Sequence, residues 1–388
     1  MRPDRKRLFL RVGAVAVFGL AWAAARADAV APEIIIPIGD PPPSAYRALL
    51  KMANVGKDDV VCDLGCGDGQ IVIMAVKEFG AKKGIGIDLD PERIKECKEN
   101  AAFHGVTDKV VWIQGSIFDQ SLKEVGVVHA WLLPNVNPMV RSMLFRDLKP
   151  GSRVVSMSFD MGDWKPDAVS HPKMVYNKVA YLYIMPASVG GTWEWTMKDT
   201  PCRAALEQEF QFFKGTVTLG GREPAHITGQ SLKGAEIAFS TTLKLDGQDA
   251  KATYRGTVEG NTIKGTQDVA GAKLDWTATR KPADVTGTWQ ITALPAAKKL
   301  GGVLTIEKKE GGVLAASYAL DSDRKTIPAN LFVWGPCVRF EIPTNAASVD
   351  FKGVLAEGTG KGVVDCEGWT TEPTWTARRV TDGKGEKP

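Results

Sequence analysis

Cysteine is scarce and scattered in this chain, with six among 388 residues: Cys62, Cys66, Cys97, Cys202, Cys337 and Cys366. No two stand in C-x-x-C spacing and none joins a histidine cluster, so neither a structural zinc nor any other metal is expected. Charge of one sign is scarce too. The formal net charge is +4, with no Lys/Arg run outside the N-terminus, which argues against a nucleic-acid partner. A hydrophobic fraction of 44% and a charged fraction of 24% are those of a folded soluble protein. The length exceeds what one core of about 250 to 300 residues fills, so at least two domains follow.

The one apolar run of note lies at the start. Arg2, Arg5, Lys6 and Arg7 precede an apolar segment from Leu8 to Ala25, broken by Arg11, and Ala25-Arg26-Ala27 follows. A basic start, a short apolar core and an Ala-x-Ala site describe a signal peptide over 1–27, cleaved after Ala27. The expected location is periplasmic or extracellular. The alternative is a membrane anchor through residues 8–25, for which the uninterrupted Val12–Ala25 stretch is short against the ~20 residues of a spanning helix.

From Ile34 to about Met185 strand-like apolar runs alternate with helical stretches, the pattern of an α/β sheet. Strands are expected at Val60–Asp63, Lys83–Ile87, Val110–Gln114, Val127–Leu132, Arg153–Phe159 and Val179–Ile184. Asp90-Pro91 opens the clearest helix, with Ile94, Cys97 and Ala101 on one face and Gly105 at its end. After Pro186 short glycine-punctuated strands take over, apart from one turn expected near Ala204.

This second region repeats. Gly191-Thr192-Trp193 is answered 96 residues on by Gly287-Thr288-Trp289, and Trp276-Thr277-Ala278-Thr279-Arg280 by Trp375-Thr376-Ala377-Arg378-Arg379. Two copies of one β-domain follow, over 190–281 and 286–380, each long enough for about six to eight strands. An opening Gly-x-Trp and a closing Trp-x-x-x-Arg would let first and last strands meet, with arginine over indole. That suggests small closed barrels, lipocalin-like in outline. Their tryptophans are expected to close the barrels rather than stack on a ligand. If the chain is exported, Cys337 and Cys366 are candidates for a disulfide across neighbouring strands, two buried thiols being the alternative. The tail, 381–388, is polar and expected to be disordered.

The chemistry concentrates in Asp63-Leu64-Gly65-Cys66-Gly67-Asp68-Gly69, a strand end running into a loop with glycine at alternate positions. Such a loop lets a ligand approach backbone closely and is expected to aim its N–H groups into the crevice. The dinucleotide pattern G-x-G-x-x-G fails at Gln70. Asp63 adds an early carboxylate, and Asp88 ends the next strand. His129, within an apolar strand, is expected to be buried and satisfied by backbone.

These residues resemble the class I methyltransferases that use S-adenosylmethionine. The resemblance implies a doubly wound, Rossmann-like α/β domain over 33–186. It implies that Asp63, Gly65, Cys66, Gly67 and Gly69 wrap the methionine part of the cofactor, and that Asp88 accepts both ribose hydroxyls. The segments Asp68-Gly69-Gln70-Ile71-Val72-Ile73, Leu132-Leu133-Pro134-Asn135-Val136-Asn137 and Leu148 through Pro166 narrow it to bacterial and archaeal proteins distantly similar to mitochondrial protein-lysine methyltransferases. Many relatives carry an acidic residue at the position of Ser116, facing the adenine amino group. Serine accepts more weakly, leaving Ile117 backbone and Asp119 as further contacts.

Methyl transfer needs the acceptor in line and with a free lone pair. Asn135, in the loop after the fourth strand, is the candidate to orient it, with Asn137, Asp160 and Trp164 as candidate pocket residues. The acceptor, protein or small molecule, is not fixed by these residues; protein lysine or another nitrogen is the first expectation. The competing expectation is a non-enzymatic exported envelope protein with a degenerate methyltransferase fold and barrels that bind a ligand or partner.

Overall fold

The computed structural model describes residues 42–380, apart from 172–177, 246, 294–299, 322–325, 343–348 and 367–372. The signal-like segment 1–27 and the tail 381–388 lie outside the described residues.

The first part runs α1 (Pro43–Met52), β1 (Val60–Leu64), α2 (Gln70–Lys77), β2 (Lys83–Asp88), α3 (Pro91–His104), β3 (Val110–Gln114), β4 (Val127–Ala130), α4 (Asn137–Asp147), β5 (Arg153–Met157), β6 (Ala168–Ser170) and β7 (Ala180–Ile184). They build one sheet in the order β3-β2-β1-β4-β5-β7-β6. β1 to β5 pair in parallel, while β7 runs antiparallel to β5 and β6 antiparallel to β7. Helices cover both faces, so β1 and β4 are buried almost throughout and apolar except at Asp63 and His129. The caps of α3 explain its limits: the Asp90 carboxylate accepts from Glu92 N, Pro91 occupies the first turn, and Gly105 closes it at φ +67.

The second part is two closed eight-stranded barrels, from β8 (Gly191–Met197) to β15 (Ala272–Thr279), and from β16 (Gly287–Ala293) to β23 (Thr374–Arg379). Closure follows the repeated tryptophans and arginines. The Arg280 guanidinium lies 4.5 Å from the Trp193 ring centroid and Arg379 4.9 Å from that of Trp289. Each of those indoles donates four residues back, Trp193 to Val189 O at 2.7 Å and Trp289 to Val285 O at 3.0 Å. The turn expected near Ala204 is instead mid-strand, within Thr200–Glu209. Its side chains alternate inward (Cys202, Ala204, Leu206, Gln208) and outward, and that period of two overrides the helix-forming tendency of Ala, Leu, Glu and Gln.

The backbone register rules out the Cys337–Cys366 disulfide. Cys337 pairs with Val354 and Cys366 with Val349, on opposite sides of one intervening strand. Two strand spacings and five residues separate them, about 10 Å across and about 17 Å along, whereas a disulfide needs α-carbons within about 7 Å. The Cys337 thiol is free and buried.

The barrels pack on the sheet domain through α4 and the loop after β5. Phe145, Trp164, Phe210, Phe332 and Trp334 form an aromatic cluster. Beside it Arg141 of α4 pairs with Asp163 and, at 2.8 Å, with Glu341 of the second barrel, while Arg339 of that barrel pairs with Asp163, Asp350 and Glu341.

Candidate active site

β1 stands where the strand order reverses, with β2 and β3 on one side and β4 and β5 on the other. Its carboxyl end therefore opens on the crevice in which such sheets bind ligands. The loop that follows holds Gly65, Gly67 and Gly69 at φ +78, +53 and +80. A Cβ on Gly69 would come 2.5 Å from the Trp112 ring, so that glycine is required by the loop's own packing. A Cβ on Gly67 would meet nothing within 4 Å, so the chain leaves space beside it.

The loop's N–H groups are mostly spent within the chain, contrary to expectation. Gly65 N and Cys66 N both donate to Ile87 O, Gly69 N to Cys66 O, Gly67 N to Asp88 Oδ2 at 3.0 Å, and Gln70 N to Asp68 Oδ1. A phosphate-binding turn needs such donors free. This loop is preorganised by its own bonds and offers open backbone to an uncharged or cationic group.

Asp88 anchors the arrangement. Its Oδ2 takes Gly67 N and its Oδ1 takes Asp90 N at 3.0 Å. A carboxylate has about four acceptor sites, so roughly half remain for a vicinal diol. The Cys66 side chain points into the fold, 3.8 Å from Cys97 Sγ, which itself donates to Gly67 O at 3.1 Å. Cys66 can therefore serve a ligand through backbone alone.

At the end of β3, Ser116 caps a short turn at Ile117–Asp119, its hydroxyl oxygen accepting from Phe118 N at 3.2 Å. That use leaves the Ser116 proton and one lone pair free for a ligand. Ile117 is half-buried beside it and Asp119 is exposed.

On the acceptor side the candidates separate. Asn135 is exposed in the turn before α4. Asn137 is fully buried, its Nδ2 donating to Ser156 Oγ at 3.1 Å and to the carbonyls of Phe159 and Asp160 at 2.9 and 3.3 Å. It ties the loop after β4 to the loop after β5 and presents no surface to a pocket. Trp164 is likewise fully buried in the aromatic cluster against the barrels, stacked on Phe210. Asp160 is exposed, its Oδ1 accepting from Gly162 N. Between these, Ser158 sits in the left-handed region at φ +71, a strained position of the kind found at functional loops.

His129 differs from expectation. Its partner is not backbone: Nδ1 lies 2.6 Å from Asp63 Oδ1, directly across from it in the β1–β4 register. Burial pushes the Asp63 carboxyl above the ordinary carboxylate value, an effect that the contact with His129 opposes but does not cancel. The sequence signal for this pair was two polar residues at matching depth in two apolar strands.

The comparisons with known proteins agree with this geometry. The model of the ANTKMT methyltransferase domain matches residues 63–168. A protein-lysine N-methyltransferase from Saccharolobus islandicus (strain REY15A) is 39% identical over 151 residues, covering 39% of this chain and 94% of that protein. The adenine nucleotide translocase lysine N-methyltransferase of Mus musculus is 31% identical over 114 residues, 29% of this chain and 49% of its own length. Among solved structures, an RNA methyltransferase from Salinibacter ruber in complex with S-adenosyl-L-homocysteine is 40% identical, covering 38% of this chain and 93% of that chain, with a TM-score of 0.36. With the Saccharolobus protein matched over nearly its whole length, and a glycine loop and Asp88 at the sheet's switch point, the chain belongs to the class I S-adenosylmethionine-dependent methyltransferases.

Proposed function

We propose that this methyltransferase acts on a nitrogen nucleophile, with the ε-amine of a protein lysine as the leading acceptor. What carries the reading is the match to a protein-lysine N-methyltransferase over 94% of that protein's length. The residues present fit the cofactor: a glycine loop with its amides internally paired and space beside Gly67 suits a cationic amino-acid portion, and the spare acceptor capacity of Asp88 suits the ribose hydroxyls.

When bound, S-adenosylmethionine supplies an electrophilic methyl group. Asp88 would hold the ribose, and the loop from Gly65 to Gly69 would enclose the methionine part. Ser116 and the Ile117 backbone would border the adenine, the serine hydroxyl still able to donate to a ring nitrogen or accept from the amino group while it accepts from Phe118 N. Asn135 and Asp160, exposed on the loops after β4 and β5, are the groups able to orient an incoming amine or take its proton.

The same reading places the protein outside the cytosol or tethered to a membrane, on the basic start, the apolar Leu8–Ala25 and the Ala25-Arg26-Ala27 site. Because the cofactor is a charged cytosolic metabolite, a tether with the catalytic domain facing the cytosol reconciles that segment with catalysis. N-terminal sequencing of protein from its native membrane or periplasm separates the two: a start at Asp28 supports export, an intact N-terminus the tether.

Calorimetric titration of the full chain with S-adenosylhomocysteine tests the site. Binding is expected, and Asp88→Ala should weaken it about a hundredfold through lost charge-assisted hydrogen bonds. No heat from the folded protein at millimolar ligand would sink the reading.

A further inference from the structure

Asp63 and His129 lie deep at the switch point, 4% and 3% exposed. Their 2.6 Å contact fixes the imidazole with Nδ1 toward the carboxylate, while Nε2 is sealed among packed neighbours without a partner. Tyr46 of α1 sets its ring edge-on to the imidazole at 6.1 Å. At that distance Nδ1 carries a proton toward the carboxyl group, because a bare nitrogen lone pair would face a carboxylate lone pair. His129 is thus a hydrogen-bond donor to Asp63.

We propose that His129 is a positioning residue for the methyl donor: its hydrogen bond fixes the orientation of Asp63 near the carboxyl end of β1, where the carboxyl group receives the cationic amino group of the cofactor's methionine part. The proposal rests on the methyltransferase reading of this site. The surroundings show why Asp63 needs such a partner. Burial pushes its carboxyl up, and the carboxylates of Asp88 on β2 and Asp68 in the loop push the same way; His129 on β4 is the neighbour that opposes them. The adjacent thiols stay protonated, Cys66 through its contact with Cys97 and its burial, Cys62 through burial, so neither brings a charge. From α1 the facing group is the Tyr46 ring. His129 offsets part of that upward push, and without it these neighbours would drive Asp63 further toward its protonated form, which has no charge to offer an ammonium group.

Titration of the full chain with S-adenosylhomocysteine across roughly pH 5 to 8 reads this directly. His129→Leu should weaken binding about tenfold near neutrality and shift the acid-side loss of affinity to higher pH. His129→Asn, whose amide can donate from near the place of Nδ1, should keep the profile of the unaltered protein. Methylthioadenosine, which shares the nucleoside but lacks the amino-acid part, should bind the unaltered protein without that acid-side loss, a test that needs no substitution. The proposal is overturned if folded His129→Leu keeps both affinity and pH profile or, should that variant not fold, if both ligands lose affinity in parallel on acidification. No binding of either ligand by the unaltered protein would remove the methyltransferase reading itself, and this proposal with it.

Discussion

Two glycines of one loop make different demands. Gly69 combines φ +80 with a Cβ position 2.5 Å from the Trp112 ring, so Gly69→Ala must both strain the backbone and displace an indole packed beneath the loop. A cost of about 2 to 4 kcal/mol in unfolding free energy is expected. Gly67→Ala meets only the milder backbone penalty at φ +53, about 1 kcal/mol, yet its methyl group would project into the space the chain leaves open. It should therefore fold nearly as well as the unaltered protein and lose most of its affinity for S-adenosylhomocysteine. Calorimetry and thermal unfolding of the two variants, run side by side, separate a packing glycine from a ligand-facing one; equal stability in both would contradict the assignment. Among the candidate site residues, the alternate glycines were legible because the steric need for φ > 0 selects a residue type, and Asp88 because a lone acidic residue ends an apolar strand. The burial of Asn137 and Trp164 was not, since an asparagine or tryptophan on a loop reads the same whether it faces a pocket or seals two loops together.

At the scale of elements, strong local signals came through. The Asp90-Pro91 start and the Gly105 end of α3 are set by capping chemistry within a few residues. Barrel closure was legible for a related reason: a repeated Trp and a repeated Arg recur at spacings that only a meeting of first and last strands brings together. Arg280 is the more buried closure, donating to Asn261 Oδ1 at 3.0 Å, Ser188 Oγ at 3.2 Å and Gly190 O while covering Trp193. Arg379, with its side chain 30% exposed, does the same at the edge of the second barrel. Arg280→Met should then cost about 2 to 3 kcal/mol and Arg379→Met about 1 kcal/mol in denaturant unfolding. Equal costs would mean that the ring contacts, which are of similar length, rather than the buried hydrogen bonds, dominate closure. The strand through Ala204 was misread because its alternation is carried by small inward residues, Cys202 and Ala204, whose hydrophobic signal is weak.

For the whole molecule, the decisive feature is the charged junction between sheet domain and second barrel. Arg141 and Arg339 are almost wholly buried, and both converge on Asp163 in the loop after β5. Partial burial pushes the Asp163 carboxyl up, but Arg339 and Arg141 outweigh it and hold it below the ordinary carboxylate value. A carboxyl held low in the folded state adds stability that is complete above its unfolded value near about pH 3.9 and is lost as pH falls through the lower folded value. Asp163→Asn should cost about 1 to 2 kcal/mol at neutral pH, less than an isolated buried pair, because Glu341 and Asp350 still face the two arginines and Asp163 is itself half-exposed. The gap between variant and unaltered protein should close on acidification below about pH 3. A gap of constant size from neutral to acid pH would show that Asp163 acts through packing and not through its charge.

The sequence by itself determined the element order, the glycine loop after β1 and the repeated barrels, because each rests on short-range rules: glycine where φ is positive, caps where helices end, alternation where one face is buried. Tertiary structure alone decided how those parts meet. Only the fold shows that the loop spends its amides on itself, that His129 faces Asp63, that Cys337 and Cys366 stand two strands apart, and that Arg141 and Arg339 close on one aspartate. The contacts among these join residues 66, 22 and 176 positions apart, and they, like the separation of the two cysteines, are set by sheet register and domain packing, which no local pattern of residues encodes.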